Sequence, residues 1–327
     1  MLRVGLIGCG GIGAVHAECW LTMKDRVQLV AIADVNEERA QKYADKSGGK
    51  VYRDGKELLD NEDLDVVDIC VPTFLHAEYL EYAMARVKNV IVEKPVCLYE
   101  EEAQRILEAE KKSGALVMVA HVLRLTDTYV YLKNVVEAGT YGKVVAGDFA
   151  RLSPRPAWMV GHDDVNRTGS MALDMHIHDV DYVRYLMNGD PDSIQVSAAK
   201  DSNGVIQHIW TAYKYGDVVL MAEGSWNYTS GMPFEETFRV VLEKAVVVLD
   251  ANGILKVYPQ EGGVIEPEIS AKEEMDMGIN VSDIGPYLCE MKYFADVIEN
   301  QDFNNITTLS EAVASFRLAK REIELGR

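Results

Sequence analysis

The chain has 327 residues, of which 48% are hydrophobic and 26% charged, and these fractions are ordinary for a globular protein. Because one hydrophobic core rarely serves a chain of this length, we expect two domains. The 33 basic residues against 52 acidic ones give a formal net charge of -19, which argues against nucleic acid as a partner and gives no attraction to an anionic membrane surface.

The first third of the chain alternates β-branched runs with helical patterns. Strand-like runs cover residues 2–8, 28–34, 65–71, 89–93 and 115–121, and clear helical patterns cover residues 37–47 and 99–112. Near-continuous apolar strands that alternate with helices are typical of a parallel sheet covered on both faces. We therefore predict a doubly wound α/β domain over residues 1–121.

The pattern changes after residue 121. A helical pattern near 128–137, a strand-like run at 143–152, a loop-like stretch at 154–168 and a helical segment at 169–186 follow one another. Alternating segments without helices then fill residues 192–259 and predict an antiparallel sheet. Helical patterns at 284–300 and 309–325 close the chain. We predict a second, α+β domain over residues 122–327, and leave open whether its terminal helix packs back on the first domain.

The N-terminal residues and the cysteines bear on location. The chain begins with a strand-like run rather than a signal peptide, and no apolar run approaches the roughly 20 residues that span a bilayer. The five cysteines contain no C-x-x-C pair, which is typical of buried thiols in a reducing compartment. A cytoplasmic protein is expected.

A glycine-rich turn follows the first strand. Its residues are Gly8, Cys9, Gly10, Gly11, Ile12 and Gly13. Such a turn alone is a weak signal, but this one joins an apolar strand to a helix, as dinucleotide-binding turns do. Gly8 would allow the tight turn, Gly10 the approach of a pyrophosphate, and Gly13 the close packing of helix on sheet. The N–H groups at the helix N-terminus would then face the phosphates.

Asp34 ends the next strand and would complete the cofactor site. A carboxylate there can accept hydrogen bonds from both ribose hydroxyls and would repel a 2′-phosphate. The residues that follow, Val35, Asn36 and Glu37, include no arginine. We therefore predict NAD as the cofactor and regard NADP as less favoured. The alternative role for Asp34 is that of a simple helix N-cap.

Two further strand ends carry candidate site residues. Lys94 follows the strand at 89–93, and His76 follows the strand at 65–71. Because ligands of open α/β sheets bind outside the carboxyl ends of the strands, both side chains are candidates for the cleft. The alternatives are a solvated lysine and a structural histidine. The stretch between strand and His76 begins with Val71, Pro72 and Thr73, which we include among the cofactor-binding candidates.

The helical segment at 169–186 holds two histidines and several aspartates. Asp174 and His178 are four residues apart and are therefore expected on one helical face, whereas His176 points elsewhere. Two histidines two residues apart do not face one metal ion, so we predict no metal site here. A carboxylate one turn before a histidine can orient the imidazole and stabilise its protonated form. In isolation the pair favours the alternative interpretation, a buried histidine with a structural carboxylate partner.

Taken together, these residues resemble the glucose–fructose oxidoreductase and inositol dehydrogenase family, written Gfo/Idh/MocA. The motifs are GCGGIG at 8–13, ADVN at 33–36, EKP at 93–95, AHVLR at 120–124 and GSMALDMHIHDVD at 169–181. The resemblance runs over essentially the whole chain. It implies a Rossmann domain followed by a domain with a large open antiparallel sheet, often used for oligomer contacts, so a homodimer or homotetramer is expected.

The resemblance also implies roles for single residues. Lys94 would contact the substrate hydroxyl and the nicotinamide side of the site, and Glu93 would help to hold the nicotinamide ribose. Asp174 and His178 would lie beside the reacting carbon. The cleft-lining candidates of the substrate side are His121, Arg124 and Trp158.

Two departures from the family pattern stand out. The common T-P-N reads Val71, Pro72 and Thr73 here, which puts a usual asparagine contact to the cofactor in doubt. The double glycine before the catalytic helix reads Gly169 and Ser170.

The resulting hypothesis is an NAD-dependent dehydrogenase acting on a CH–OH group of a sugar or cyclitol. His178 would accept the hydroxyl proton, Asp174 would stabilise the imidazolium, and Lys94 would hydrogen-bond the developing alkoxide. Lys94 could be the base instead. Two rivals are a catalytically silent NAD-binding sensor or structural protein, and a metal-dependent hydrolase or aldolase that uses His176 and His178.

Overall fold

The computed structural model describes residues 1–156, 165–269, 284–302 and 304–326. The chain forms two compact units. The first comprises Met1–Leu125, Asn166–Thr168 and Lys272–Ala314, and the second comprises Thr126–Val165, Gly169–Ala271 and Ser315–Arg327. Both units are thus built from separate stretches of chain, whereas the sequence predicts a single boundary after residue 121.

The first 125 residues alternate strands and helices. The elements are β1 Leu2–Ile7, α1 Gly11–Thr22, β2 Val27–Ala33, α2 Glu37–Ser47, β3 Lys50–Tyr52, α3 Gly55–Asn61, β4 Val66–Ile69, α4 His76–Met84, β5 Asn89–Glu93, α5 Glu100–Ser113 and β6 Leu116–Ala120. All neighbouring strands pair in parallel, in the order β3-β2-β1-β4-β5-β6. The predicted doubly wound Rossmann sheet is confirmed. Its order reverses between β1 and β4, where a ligand crevice is expected.

Local sequence sets the ends of these helices. Helix α2 begins at Asn36, whose side chain accepts hydrogen bonds from the backbone of Glu38 and Arg39, and it ends at Gly48 with φ 75°. The predicted helix at residues 37–47 has these same bounds. The short strand β3 was not predicted, because three residues are too few to show a period.

The remaining chain brings helices and a second sheet. The elements are α6 Asp127–Glu137, β7 Val144–Pro154, α7 Val165–Thr168, a π-helical turn Ala172–His176, α8 Ile177–Met187, β8 Ser193–Lys200, β9 Ile206–Tyr215, β10 Val218–Tyr228, β11 Glu235–Leu242, β12 Ala245–Leu249, β13 Leu255–Pro259, α9 Gly285–Asn300 and α10 Leu309–Leu325. Among the described helices, none combines the length and the apolar character needed to cross a bilayer.

Helix α9 belongs to the core of the first unit. Met291 and Phe294 of α9 are fully buried in one cluster with Val15 and Trp20 of α1. The strand β4 between the helical layers is buried along its whole length. A stretch from the end of the chain therefore completes the hydrophobic cover of the Rossmann sheet, and this stabilises the unit through the burial of apolar area.

The second unit is built on a seven-stranded sheet in the order β13-β12-β11-β7-β10-β9-β8. All pairs are antiparallel except β7 with β10, so the predicted antiparallel sheet is confirmed with one parallel pair. Trp210, Val219 and Met221 are exposed on it. The predicted homodimer or homotetramer through this sheet stays a prediction.

Candidate active site

The glycine-rich turn has the shape that a dinucleotide needs. A Cβ on Gly8, whose φ is 95°, would lie 2.5 Å from the carbonyl oxygen of Cys70, and a Cβ on Gly13 would lie 2.0 Å from the carbonyl oxygen of Gly8. At Gly10 a Cβ would meet nothing within 4 Å. Two glycines therefore permit the packing of turn, strand and helix, and the third leaves open space where a phosphate group fits.

The N-terminus of α1 suits an anion. No side chain within the described residues caps it, and its first turn holds no acidic residue. Gly11 is exposed and Ile12 is partly exposed. Backbone N–H groups at an uncapped helix N-terminus bind phosphate readily, so the residues at this turn fit the pyrophosphate of a dinucleotide.

Asp34 is fixed beside the same turn. Its Oδ2 accepts a hydrogen bond from the backbone of Cys9 at 2.6 Å, and its Oδ1 accepts one from the backbone of Asn36 at 2.7 Å. The alternative role as N-cap is wrong, because Asn36 caps α2. Burial, with Asp34 next in importance, raises the pKa of the Cys9 thiol to about 12. Asp34 is thus a fixed negative charge next to the glycine turn, as its predicted ribose role requires.

Lys94 directly follows β5, as predicted. The carboxylate of Glu93 is buried, and its Oε2 accepts a hydrogen bond from the backbone N–H of Lys94 at 3.0 Å. Strand β5 pairs in parallel with β4, with Val92 opposite Ile69. The segments after both strands therefore leave the sheet at the same edge. The predicted contacts of Lys94 with substrate and of Glu93 with the ribose stay predictions.

His76 joins the two strand ends. Its buried ring lies with Nδ1 2.8 Å from the carbonyl oxygen of Pro95 and with Nε2 2.9 Å from that of Val71. Burial lowers the pKa of His76, and a neutral imidazole donates from only one nitrogen. His76 therefore braces the edge of the sheet. Pro72 is exposed and Thr73 is partly exposed, and the contacts of all four predicted residues with a cofactor stay predictions.

Sequence reasoning missed a buried polar cluster under this edge. Nδ1 of His16, on α1, lies 3.0 Å from Oδ2 of Asp68, on β4, and the same oxygen accepts a hydrogen bond from Nε1 of Trp20 at 2.8 Å. Nε2 of His16 lies 3.1 Å from Oε1 of Glu93. The available signal was Asp68 itself, because an acid inside an apolar strand needs a buried partner.

In the second unit, Asp174 lies in the π-helical turn and His178 in the first turn of α8. From Met171 to Val180 these two residues alone are partly exposed. A π-helix bonds residues five apart rather than four, but residues four apart in it still lie about one turn apart, so the shared face of the pair stays a prediction. The exposure nevertheless sets both side chains apart from their buried neighbours.

His176 turns the opposite way, into the core. Its Nε2 lies 2.9 Å from Oε2 of Glu322, which also accepts a hydrogen bond from Thr211 at 3.0 Å. A Cβ on Gly224 would lie 2.8 Å from Nδ1 of His176. His176 is thus held by α10 and packed against β10.

The remaining substrate-side candidates have different surroundings. His121 and Arg124 are both buried, and a guanidinium nitrogen of Arg124 donates a hydrogen bond to the carbonyl oxygen of Ile306. Trp158 lies outside the described residues. Lys94 belongs to the first unit, and Asp174 and His178 belong to the second. Their predicted convergence at one cleft stays a prediction.

Two family models match the chain. The model described as "Oxidoreductase family, NAD-binding Rossmann fold" matches residues 2–121. The model described as "GFO/IDH/MocA C-terminal domain" matches residues 129–248. The first match confirms the predicted NAD-binding Rossmann domain, whose glycine turn and Asp34 are described above.

The curated relatives point the same way. The chain is 34% identical to the myo-inositol 2-dehydrogenase of Thermotoga maritima over 194 residues, which are 59% of this chain and 57% of the relative. It is 30% identical to the inositol 2-dehydrogenase of Salmonella typhimurium over 207 residues, which are 62% of this chain and 59% of the relative. The chain thus matches less than two thirds of the length of these relatives.

Solved structures share the whole fold. A probable dehydrogenase from Thermotoga maritima is 25% identical, with a TM-score of 0.82 over 100% of this chain and 98% of the other. Levoglucosan dehydrogenase in complex with NADH is 20% identical, with a TM-score of 0.85 over 99% and 96% of the two chains; at this identity the likeness concerns the fold alone. The chain belongs to the GFO/IDH/MocA family of oxidoreductases, whose N-terminal domain has the NAD-binding Rossmann fold.

Proposed function

We propose that the protein is an NAD-dependent dehydrogenase that transfers a hydride between nicotinamide and a secondary alcohol of a sugar or cyclitol. The observation that carries the proposal is the partial exposure of Asp174 and His178 within an otherwise buried segment. The names of the curated relatives, which are inositol 2-dehydrogenases, support a cyclitol as the first substrate to test.

The first unit supplies the cofactor contacts. The backbone of Gly10, Gly11 and Ile12 would bind the pyrophosphate, and Asp34 would accept hydrogen bonds from the ribose of the adenosine half. Residues 71–73 and 76, with Glu93, are the candidates for the nicotinamide side. When bound, NAD+ supplies the acceptor of the hydride that leaves the alcohol carbon.

The second unit supplies the proton acceptor. His178 accepts the proton of the hydroxyl as the carbon–hydrogen bond breaks, and Asp174 stabilises the imidazolium that forms. Lys94 donates a hydrogen bond to the oxygen, on which negative charge develops. Proton transfer by a positioned base typically contributes about 10²–10⁴-fold to the rate.

Lys94 is the alternative base. In that case the lysine loses its proton to solvent before the reaction, and His178 only orients the hydroxyl. The pH–rate profiles of His178→Ala and Lys94→Ala separate the two assignments, because the variant that lacks the base loses the acid limb of kcat/KM.

A substrate panel tests the proposed function. Cyclitols, aldoses and sugar acids are assayed with NAD+ and with NADP+, and absorbance of the reduced cofactor is followed. We expect turnover of at least one cyclitol or sugar with NAD+. Binding of NADH without turnover of any compound would favour the NAD-binding sensor instead. A stoichiometric metal in the purified protein, with no reduction of either cofactor, would favour the metal-dependent hydrolase or aldolase.

A further inference from the structure

A chain of three buried ionisable groups runs through the first unit to the backbone of Lys94. We call Asp68, His16 and Glu93 the buried triad. His16 and Asp68 are fully buried, and Glu93 is 5% exposed. Nδ1 of His16 lies 3.0 Å from Asp68, Nε2 lies 3.1 Å from Glu93, and Glu93 accepts the backbone N–H of Lys94 at 3.0 Å.

The contacts of the His16 ring bear on which of its nitrogens carry a proton. Each ring nitrogen of His16 faces a carboxylate oxygen, which is an acceptor unless it carries a proton. Trp20 donates to the same oxygen of Asp68 and so holds that carboxylate as an acceptor. The contact from Nε2 to Glu93 is within ion-pair distance but does not meet hydrogen-bond geometry. A carboxylate thus lies beside each ring nitrogen, and this arrangement favours an imidazolium over a neutral ring.

The groups around His16 favour the same charge state. Burial disfavours the charged ring, but the pKa of His16 is raised well above its ordinary value. Because burial keeps the Cys70 thiol neutral, the charge that favours the imidazolium is that of Asp68. Burial raises the pKa of Cys70, which keeps the thiol protonated, and burial followed by the charge of Glu93 raises the pKa of Glu290. The groups that face His16 come from β4, from the end of β5 and from α9. The ring centroid of Tyr287, on α9, lies 6.5 Å from that of His16.

We propose that His16 is a positioning residue for Lys94 and acts through Glu93. The inference rests on the proposed function, because it assigns a purpose to the exact placement of Lys94. Without the imidazolium, the buried carboxylate of Glu93 has no cation beside it within the triad, and it takes up a proton or turns away. Lys94 then loses the anionic acceptor that fixes its backbone at the end of β5.

A metal ion is the competing explanation for part of this cluster. Ligand atoms of His16, Asp68 and Cys70 lie within 4.8 Å of one another. Hydrogen bonds account for the same distances, since the thiol of Cys70 lies 3.5 Å from Oδ1 of Asp68 and the other oxygen accepts from Trp20. A stoichiometric metal in the purified protein would overturn the assignment of an imidazolium.

The kinetic experiment compares His16→Gln with Trp20→Phe. Both variants alter a side chain whose nitrogen faces Asp68, but the hydrogen bond of Trp20 goes to Asp68 alone, whereas His16 also faces Glu93. We expect His16→Gln to lower kcat by about 10–100-fold with little change in the KM for NAD, because the loss is one of positioning. Trp20→Phe should lower the melting temperature by about as much as His16→Gln does. It should keep kcat within about twofold of the wild-type value.

The pH profile separates positioning from simple loss of stability. In His16→Gln, the buried carboxylate of Glu93 lacks its cation, and burial without that partner disfavours the charged form, so kcat/KM gains an additional acid limb. Removing that carboxyl in His16→Gln/Glu93→Gln should abolish the new limb. Equal kcat values and equal profiles in His16→Gln and Trp20→Phe would overturn the inference.

A second readout does not depend on activity. In protein labelled with ¹⁵N-histidine, the His16 signals are those missing from His16→Gln. We expect both ring nitrogens of His16 to stay protonated between about pH 6 and 8, and to titrate in this window when Glu93→Gln or Asp68→Asn removes one anion. A neutral single tautomer in the wild type would overturn the inference. An imidazolium in a protein that oxidises no compound of the panel would leave the triad standing and reject the proposed function.

Discussion

Two buried histidines, one in each unit, differ in what surrounds them. His16 lies between the carboxylates of Asp68 and Glu93, and both ring nitrogens face an anion. His176 has one carboxylate partner, Glu322, and packs its other side against Gly224. One N–H satisfies the contact of His176, whereas the imidazolium proposed for His16 presents an N–H to each of two carboxylates. The first unit therefore places charged groups beneath its candidate site residue Lys94. The second unit holds the turn with its candidate Asp174 by packing.

The difference follows from what each unit must hold. Lys94 stands on a strand end, and its backbone is fixed by an anion that itself needs a buried cation. Asp174 lies in a π-helical turn, which is less favourable than an α-helix and is kept by packing around it. His176 ends this turn and locks it against Glu322. Substitutions that change side-chain charge should therefore disturb the site residues of the first unit. Substitutions that change side-chain volume should disturb those of the second.

The largest expected effect concerns one proposed catalytic residue from each unit. Lys94→Ala and His178→Ala should each lower kcat/KM by about 10²–10⁴-fold, because one donates to the alcohol oxygen and the other accepts its proton. The double variant should lose less than the product of the two factors, since both act on one transition state.

The control for these variants is His208→Ala, which removes another partly exposed histidine of the second unit, one paired with Glu223 at 2.8 Å. It should keep normal turnover. Fully multiplicative losses in the double variant would contradict a shared cleft for Lys94 and His178.

Charge reversal at Asp34 tests the electrostatics of the first unit. Asp34→Arg should shift the ratio of kcat/KM values from NAD toward NADP by about tenfold or more, since the fixed carboxylate that repels a 2′-phosphate is replaced by a cation. The assay uses one substrate with both cofactors. Asp65→Asn, a variant of another carboxylate that accepts a backbone N–H, is the control; an unchanged ratio in Asp34→Arg would remove Asp34 from the ribose.

Added volume at Gly224 tests the shape of the second unit. Gly224→Ala places a methyl group 2.8 Å from Nδ1 of His176, whose ring Glu322 holds from the other side. We expect a loss of about 1–3 kcal/mol in the free energy of unfolding, measured with urea, and a lower kcat. Gly231→Ala, where a Cβ meets nothing within 4 Å, should change stability by less than about 0.5 kcal/mol. A tolerated Gly224→Ala would show that His176 has room to move.

The last expected effect depends on pH and concerns Glu290, which faces the buried triad. Burial, and then Glu93, raise its pKa, so the folded protein keeps a proton that the unfolded chain releases. Stability therefore falls as pH rises from the unfolded pKa toward the folded one. Glu290→Gln has no such proton, and its stability relative to wild type should grow by up to about 1.4 kcal/mol per pH unit in that window.

Urea titrations at about pH 5 and pH 8 measure this difference. Glu299→Gln changes an exposed carboxylate of the same helix, paired with Arg26, and should show a small difference that does not grow with pH. A pH-independent result for Glu290→Gln would mean that Glu290 is ionised in the fold.

Local patterns predicted much of the fold correctly. The alternation of apolar strands and helices predicted the parallel sheet, and the predicted helical pattern at residues 37–47 has the bounds of α2. The prediction for residues 192–259 was less specific, because it did not separate β11 from β12. A two-residue turn between β-branched runs does not interrupt the run of strand-like residues, so the pattern alone does not show where one strand ends and the next begins.

The sequence by itself determined which residues are candidates for the chemistry: the glycine turn, Asp34, Lys94, and the pair Asp174 and His178. Only the tertiary structure decided what holds them, because the partners come from distant parts of the chain. His16 and Asp68 are 52 residues apart, and His176 and Glu322 are 146 apart. Periodicity reports that a face is buried, but burial of a polar group is satisfied by a specific partner in space, and that partner is set by the packing of whole elements.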